Sequence, residues 1–586
     1  MGAYLNSKNP YGLFLDEAAS AYFIDKSEML SELMPLAEQT SDPGLLQDPD
    51  SEKGNKYICI TRPRRFGKTL MACMIASFFG KGADSSALFR QLRISKTDGF
   101  ETHINQHNVI FISFNEIPQN CASYQDYIRR IQNRLQNDLL RAFPDAGISS
   151  EEAVWDMLSE LYELYDARFI FVLDEWDYIF HRNFVTDADK MSYIDFLSNL
   201  LKGKSYVEFA YMTGILPIAS HTTHGTLESK DSIVDASGES LQAVFPADAS
   251  YSSGSELNMF FEYTMAAREK YSTYFGFTDE EVDLLYARYL NRTAEPRVTR
   301  EDLRLWYDGY QTISGTRLYN PRSVVGALTD NQAGSYWTSS GPYDEIFYYI
   351  EHNVAQVRDD LALMISGIPV RAKVQEYAAT STSLTTRDEI FSAMVVYGFL
   401  SCEKGQVSIP NKELMDKFAD MLQKEPSLGY VYQLAHESER MLQATKDCNT
   451  ATMCRILEHA HNTETPLLSY NNETELTAIV NLVYLAARDS YRIEREDKAG
   501  TGFVDFIFYP LNNQDDCIIL ELKVNHTPEE ALHQIKNRKY ALRFEGKLGE
   551  TPRYTGRILA VGISYYKDDS RKRHSCKVEV LRGRIR

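Results

Sequence analysis

From residue 56 to residue 218 the chain alternates short apolar runs with segments of helical spacing, and this alternation constrains its fold most. KYICITR (56–62) reads as a strand, and TLMACMIASFFG (69–80) carries apolar residues at helical spacing. NVIFISF (108–114) reads as a second strand, followed by helical stretches over about 122–144 and 151–166. RFIFVLDEWD (168–177) is a third strand whose unbroken apolar run suits burial on both faces. A helix over about 188–202 leads to a fourth strand, YVEFAYMTGILPI (206–218). Strands and helices in this order imply a parallel sheet with right-handed crossovers. Ligands bind such sheets at the carboxyl ends of the strands.

The carboxyl end of the first strand reads TRPRRFGKTL (61–70). A phosphate-binding loop is G-x-x-x-x-G-K-[ST] between a strand and a helix. Gly67, Lys68 and Thr69 fit its second half, while Arg62 stands where its first glycine belongs. The amides and dipole of the helix that opens there favour phosphate. Lys68 would reach the β/γ-phosphates and the Thr69 hydroxyl would hold Mg²⁺. The third strand ends in Asp174-Glu175, a Mg²⁺ ligand beside a residue that orients the attacking water. The fourth ends in Met212-Thr213-Gly214, which puts a hydroxyl beside the γ-phosphate. GKT alone is common, and an acidic pair at a strand end can simply cap a turn. Three such signals in order on successive strands point to ATP or GTP. We count Arg62, Arg65, Gly67, Lys68, Thr69, Asp174 and Thr213 as the nucleotide set and Glu175 as catalytic. Arg62, Arg64 and Arg65 either lie on the phosphates or face solvent or a partner.

A chain of 586 residues exceeds one ordinary core, so two to four domains are expected. No apolar run reaches the roughly 18 residues that span a membrane. The N-terminus MGAYLNSKNPYGLFLDE lacks a basic segment before an apolar block, so no secretory leader is expected. The eight cysteines are scattered without a C-x-x-C pair, as expected for reduced thiols in the cytoplasm. The segments 40–55 and 219–250 are polar and rich in Gly, Ser and Asp, and read as loops. Residues 259–370 look helical and aromatic-rich, with LWYDGY, LYNPRSV and SYWTSSG read as packing of a lid.

Net charge is −20, which argues against a protein coated in nucleic acid. Residues 536–586, however, hold 15 Lys/Arg against 5 Asp/Glu. Just before this basic end lies a second constellation. ETELTAIVNLVYLAARDSY (473–491) is an amphipathic helix carrying Glu475. The strand FVDFIFYP carries Asp505, the turn LNNQDD follows, and the strand CIILELKV presents Glu521 and Lys523. PEEALHQIKNRKYAL (528–542) is a helix with Gln534, and ILAVGISYY is a further strand. Glu521 and Lys523, two apart on a strand, share a face. Asp505 and Glu521 together make a hard-oxygen site suited to Mg²⁺. There a phosphodiester could be hydrolysed, with Lys523 steadying water or developing charge. The plainer alternative is a buried ion pair with an edge acid. The basic tail favours the nucleic-acid reading, because a polyanion needs cations beside the carboxylates.

RPRRFGKTL, FVLDEWDY, MTGILPI, YSSGSELNMFFEYTM, LWYDGY, YNPRSV and YWTSSG together resemble the AAA-ATPase-like family of prokaryotic proteins, in which the first loop glycine is commonly missing. VDFIFYP, IILELK and QIKNRKYA resemble the PD-(D/E)XK nuclease domain that usually forms the C-terminal part of that family. Val504, not proline, precedes Asp505 here, a common variation. The resemblance implies an α/β chain in four parts: an AAA-like P-loop ATPase domain (1–258), a helical lid (259–370), a helical connecting region (371–465) and a PD-(D/E)XK nuclease-like domain (466–586). It implies Lys68, Thr69, Asp174 and Glu175 as ATPase residues. It implies Asp505, Glu521 and Lys523 as nuclease residues, with Glu475 and Gln534 in support. ATP, Mg²⁺ or Mn²⁺, and nucleic acid, most simply DNA, are the implied ligands, with a homo-oligomer as a further expectation. Three activities stay open at this stage: an ATP-regulated DNA nuclease, a nucleotide-switched nucleic-acid binder that does not cut, and an NTPase scaffold that holds a protein.

Overall fold

The computed structural model describes residues 2–37, 55–218, 257, 259–265, 268–337, 354–374, 384, 386–424, 426–428, 430–462, 473–499, 502–545, 554–569 and 573–585. Apart from Asn55, the segments 40–55 and 219–250 lie outside them. The chain forms two compact units: residues 1–339 with 373–384 and 391–403, and residues 340–372 with 385–390 and 404–586. The lid expected over 259–370 is divided between the two.

The first unit is built on a five-stranded sheet. Its strands are β1 Tyr57–Thr61, β2 Asn108–Ser113, β3 Phe169–Asp174, β4 Val207–Gly214 and β5 Phe261–Tyr263. They lie in the order β2-β3-β4-β1-β5, and every pairing is parallel. Successive residues of a strand face opposite sides of a sheet, and here both sides are covered. Tyr57, Cys59, Ile110, Ile112, Phe171 and Leu173 join one core, with the helices Tyr124–Ala142, Val154–Tyr165 and Asp187–Leu201. Ile58, Ile60, Val109, Phe111, Ile170 and Val172 join the other, with Asn9–Ala18, Met29–Ala37 and Lys68–Phe79. That two-sided burial explains the unbroken apolar runs of β1 and β3, in which every residue is buried. At about 1.5–3 kcal/mol for each large apolar side chain, these two layers supply the main drive for folding of the unit.

Three further helices, Asp279–Arg292, Arg300–Tyr307 and Pro321–Asp330, surround a separate cluster of Tyr289, Leu303, Tyr307, Tyr319 and Val324. Thr278 and Thr299 start the first two with capping boxes. Asn320 caps the third, with Pro321 in its first turn. The motifs LWYDGY and LYNPRSV therefore contribute packing residues, whereas residues 338–341 of SYWTSSG lie outside the described residues. LYNPRSV also delivers Arg322 to the site described below.

The second unit holds helices and a mixed sheet: β6 Tyr491–Ala499, β7 Gly502–Pro510, β8 Cys517–Val524, β9 Ile558–Tyr565 and β10 His574–Arg582, side by side in that order. All neighbours are antiparallel except β8 and β9. A parallel pair needs a crossover, here the helix Pro528–Asn537. Its Leu532 and Ile535 cover Cys517, Ile519, Ile558 and Ala560. The packing is tight: a Cβ on Gly562 would lie 2.4 Å from the Pro528 carbonyl oxygen. β5, β6 and β10 have no counterpart in the sequence reading. Each sits at a sheet edge, where one-sided burial and charged residues blur the apolar pattern.

Candidate functional site

β1 ends at Thr61, and the helix Lys68–Phe79 begins six residues after Arg62. The loop between them turns through Arg65 at φ 71° and Gly67 at φ 90°, both left-handed. Glycine suits the second because it carries no Cβ to strain. This turn directs the free amides of the helix to the carboxyl edge of the sheet. Lys68 is buried, and its Nζ donates to the carbonyls of Arg62 (2.7 Å) and Pro63 (2.9 Å). Burial pushes its pKa down to about 8, against the pull of Asp177, Glu175 and Asp174.

β4 runs between β1 and β3, so Thr213 lies between the loop and the acidic pair. Its hydroxyl donates to Asp174 Oδ1 at 2.6 Å and accepts the Glu175 N–H at 3.3 Å. Asp174 is fully buried, and desolvation pushes its pKa up to about 6 although the Thr213 hydroxyl opposes the shift. Glu175 charge adds to the rise; Thr69 and Lys68 oppose it. Asp174 Oδ2 accepts no hydrogen bond of normal geometry, with the Thr69 hydroxyl close to the carboxylate. A buried carboxylate oxygen without a donor, beside a hydroxyl, fits a hard divalent cation. Glu175 stands at φ 53°, a left-handed conformation uncommon outside glycine, of the kind that recurs at functional sites.

A cavity of about 630 Å³ opens over this edge. Arg65, Gly67, Lys68, Thr69 and Glu175 line it, as do Arg64, Asp177, Tyr178 and Arg322. Phe23, Ile24, Tyr274, Phe277 and Val325 provide an apolar wall. Arg65 has its pKa lowered by burial and then by the like charges of Arg322 and Arg64. A polyanion among these cations would relieve that repulsion. Arg62 departs from the sequence reading and does not line the cavity. Its guanidinium is buried, donates to the carbonyls of Thr61 (2.7 Å) and Tyr263 (2.6 Å), and lies 5.3 Å from the Phe275 ring. It braces the ends of β1 and β5.

Sequence reasoning missed two residues here. Asp177 Oδ2 accepts the N–H groups of Ile215 (2.8 Å) and Leu216 (2.7 Å), which fixes the exit of β4. Arg322 lies in the first turn of the helix Pro321–Asp330. Only the fold brings it to a loop more than 250 residues earlier in the chain.

The second constellation assembles on β7 and β8. Their register pairs Phe506 with Leu520 and Ile507 with Ile519, and one further step sets Asp505 opposite Glu521. Asp505 Oδ2 accepts the Leu522 N–H at 2.7 Å. Glu521 is buried, and Lys523 Nζ donates to its Oε1 at 2.9 Å. Gln534 Nε2, from the crossover helix, donates to the same oxygen. Oε2 is left buried with no hydrogen-bond partner. Burial, then the nearby Asp505 charge, raises the Glu521 carboxyl above the usual range, while Lys523 opposes the shift. With both nitrogen donors on one oxygen, the other is left to bind a cation together with Asp505. Among the described residues no group of three or more His, Cys, Asp or Glu could hold a metal. Glu475 lies in the helix Glu473–Val483, and its side chain falls outside the described residues. The basic end is partly neutralised: Lys536, Arg557, Arg573 and Lys577 pair with Glu579, Asp516, Asp569 and Glu529.

Residues 50–223 match the family model of a predicted AAA-ATPase, and residues 472–571 match the PD-(D/E)XK nuclease superfamily. An uncharacterized protein in the vnfD 5′ region of Azotobacter chroococcum mcd 1 is 23% identical over 295 residues, which is 50% of this chain and 48% of the relative. The chain thus spans about half the length of that curated relative. Among solved structures, the Walker-type ATPase paby2304 of Pyrococcus abyssi aligns with a TM-score of 0.32 at 10% identity, over 65% of this chain and 99% of its own. The ORC2 protein of Aeropyrum pernix, in ADPNP and ADP complexes, aligns with a TM-score of 0.29 at 11% identity, over 67% and 94%. The chain therefore joins an AAA-ATPase-like domain to a domain of the PD-(D/E)XK nuclease superfamily.

Proposed function

We propose that this protein is an ATP-regulated, Mg²⁺-dependent DNA nuclease, acting in the cytoplasm in defence against foreign DNA or in mobile-element biology. The observation that carries the reading is that Lys523 and Gln534 both donate to Glu521 Oε1 and leave its buried Oε2 without a partner, on the strand beside Asp505. In a merely structural ion pair, both oxygens of so deeply buried a carboxylate should be satisfied. Bound Mg²⁺, or Mn²⁺, would polarise a phosphodiester and acidify a water at this site, and bridge triphosphate oxygens at the other. Asp505 and Glu521 would hold the metal, and Lys523 would neutralise charge as the phosphodiester is attacked. At the nucleotide site Lys68, Arg65 and Arg322 would bind the phosphates, Thr69 and Asp174 would hold the metal, and Glu175 would orient the water. The eight free thiols support a cytoplasmic location.

The test is to incubate the purified chain with linear, circular and single-stranded DNA, with Mg²⁺ or Mn²⁺, with and without ATP. Cleavage should depend on metal and ATP, disappear in Glu521→Ala and Lys523→Ala, and lose its ATP dependence in Lys68→Ala. Cleavage that persists in both nuclease-site variants refutes the site. DNA binding without cutting under every condition replaces the nuclease by a nucleotide-switched binder.

A further inference from the structure

A glycine-rich loop reaches its phosphate-cradling shape because glycine adopts left-handed backbone without strain. Here Arg62 stands at the first glycine position, and Arg62 and Arg64 keep negative φ. The sharp turn falls instead on Arg65, which is left-handed at φ 71°. A residue with a side chain is strained in that region and persists only where its surroundings enforce it.

Both neighbours of Arg65 are held from outside the loop. On one side the Trp337 indole N–H donates to the Arg64 carbonyl at 3.2 Å. On the other the Gly276 N–H donates to the Phe66 carbonyl at 3.3 Å. The buried Phe66 ring meets the Tyr310 ring edge-on, with centroids 5.0 Å apart. Pro63 lies against Gly398, where an added Cβ would come 2.6 Å from the Pro63 Cβ. The Gly398 carbonyl accepts the Tyr310 hydroxyl at 2.8 Å, and the Phe399 ring lies 5.1 Å from that of Trp337. Tyr310, Gly398, Phe399 and Trp337 are thus one connected cluster, which touches the loop at residues 63, 64 and 66. All of them belong to the first unit. The same stretch of loop lines the cavity through Arg64, Arg65 and Gly67, whereas Tyr310 and Trp337 do not line it.

We propose that this cluster takes the place of the missing glycine: Trp337 and Tyr310 are positioning residues that enforce the left-handed turn at Arg65, and so set the loop amides and the Arg65 side chain toward the nucleotide phosphates. The inference rests on the nucleotide-binding reading above. The motifs LWYDGY and SYWTSSG, which supply the two rings, thereby gain a role at the nucleotide site besides packing. Without the Trp337 donor the Arg64 peptide is free to rotate, and Arg65 relaxes to an ordinary conformation. ATP must then select the strained loop from a mixed population, which lowers its apparent affinity. With Arg65→Gly the turn carries no strain, so the clamp has little left to enforce.

The experiment measures ATP affinity by titration of the full chain. Trp337→Phe keeps a ring beside Phe399 and loses the donor to Arg64, so ATP should bind about fivefold more weakly. Arg65→Gly removes a phosphate ligand and sets a weaker baseline, but on that background Trp337→Phe should cost less than about twofold. A ring that only stabilised the fold would cost the same on both backgrounds, so equal losses overturn the proposal. Wild-type affinity in Trp337→Phe overturns it too. Should Trp337→Phe fail to fold, Tyr310→Phe, which removes only the hydroxyl donor to Gly398, enters the same cycle. It must show the same dependence on residue 65, and an equal loss on both backgrounds overturns the proposal. Either result with wild-type protein that binds ATP leaves the nucleotide reading standing. Wild-type protein that binds no ATP overturns that reading, and this proposal with it.

Discussion

Replacing Asp174 by Asn should make the first unit more stable while it disables the nucleotide site. Burial raises the Asp174 carboxyl from an ordinary 3.8 to about 6. Above that pH the folded protein carries a buried charge that the unfolded chain would hold in water. At about 1.4 kcal/mol per pH unit, the mismatch costs about 3 kcal/mol of stability at pH 8. Asparagine keeps the acceptor for Thr213 and carries no charge. The sign is fixed by the direction of the shift. Wild type and variant are alike below about pH 3.8, wild type falls behind as the pH rises toward 6, and the gap is constant above it. Urea unfolding without divalent cation or nucleotide, followed by hydrogen exchange in peptides from β3 and β4, reads this sheet rather than the whole chain. The variant should gain about 3 kcal/mol at pH 8 and almost nothing at about pH 3. Mg²⁺ with ATP should stabilise wild type and leave the variant unmoved. An Asn variant less stable than wild type at pH 8, or a gap that ignores pH, would refute the view that this carboxylate is held charged against its surroundings.

Three further outcomes follow from the geometry. Lys68, with its pKa near 8, loses its charge as the pH rises, so ATP affinity should fall about tenfold between pH 7 and pH 9 in binding titrations, and Lys68→Met should bind weakly without that slope. Arg62→Ala should lower the thermal midpoint by removing a buried brace, yet leave ATP affinity of the folded protein within about threefold, because the guanidinium lies off the cavity. Gly562→Ala should destabilise the second unit by about 1–3 kcal/mol in denaturant titrations, since its Cβ would lie 2.4 Å from the Pro528 carbonyl oxygen.

Much of this was legible in the sequence, for a specific reason. β1 to β4 are buried on both faces, so their apolar runs stand out, and they end at Thr61, Ser113, Asp174 and Gly214. β6 and β10 carry charges on an open edge, and β5 is only three residues long, so none leaves a clear period. At the sites, Lys68 was singled out by the GKT motif, Asp174 and Thr213 by their place at strand ends, and Glu521 and Lys523 by sharing one face of a strand. The bracing contacts of Arg62 left no local signal, because its carbonyl partner Tyr263 lies 201 residues further along the chain. Asp177 was hidden within the same acidic run, DEWD, since nothing local tells a metal ligand from a carboxylate that pins a loop. Arg322 has no local signal at all. Its position depends on how a helix from the aromatic cluster meets the phosphate loop.

Thr213 carries a single hydroxyl proton, and that proton is committed to Asp174. Its oxygen is meanwhile held by the Glu175 N–H. The hydroxyl therefore has nothing to donate to a phosphate while Asp174 draws on it. A cation settling on Asp174 Oδ2 would draw charge from the carboxylate, weaken Oδ1 as an acceptor and loosen its hold on that proton. One hydrogen atom would thus act as a gate with two inputs, and the site would register nucleotide fully only when metal arrives with it.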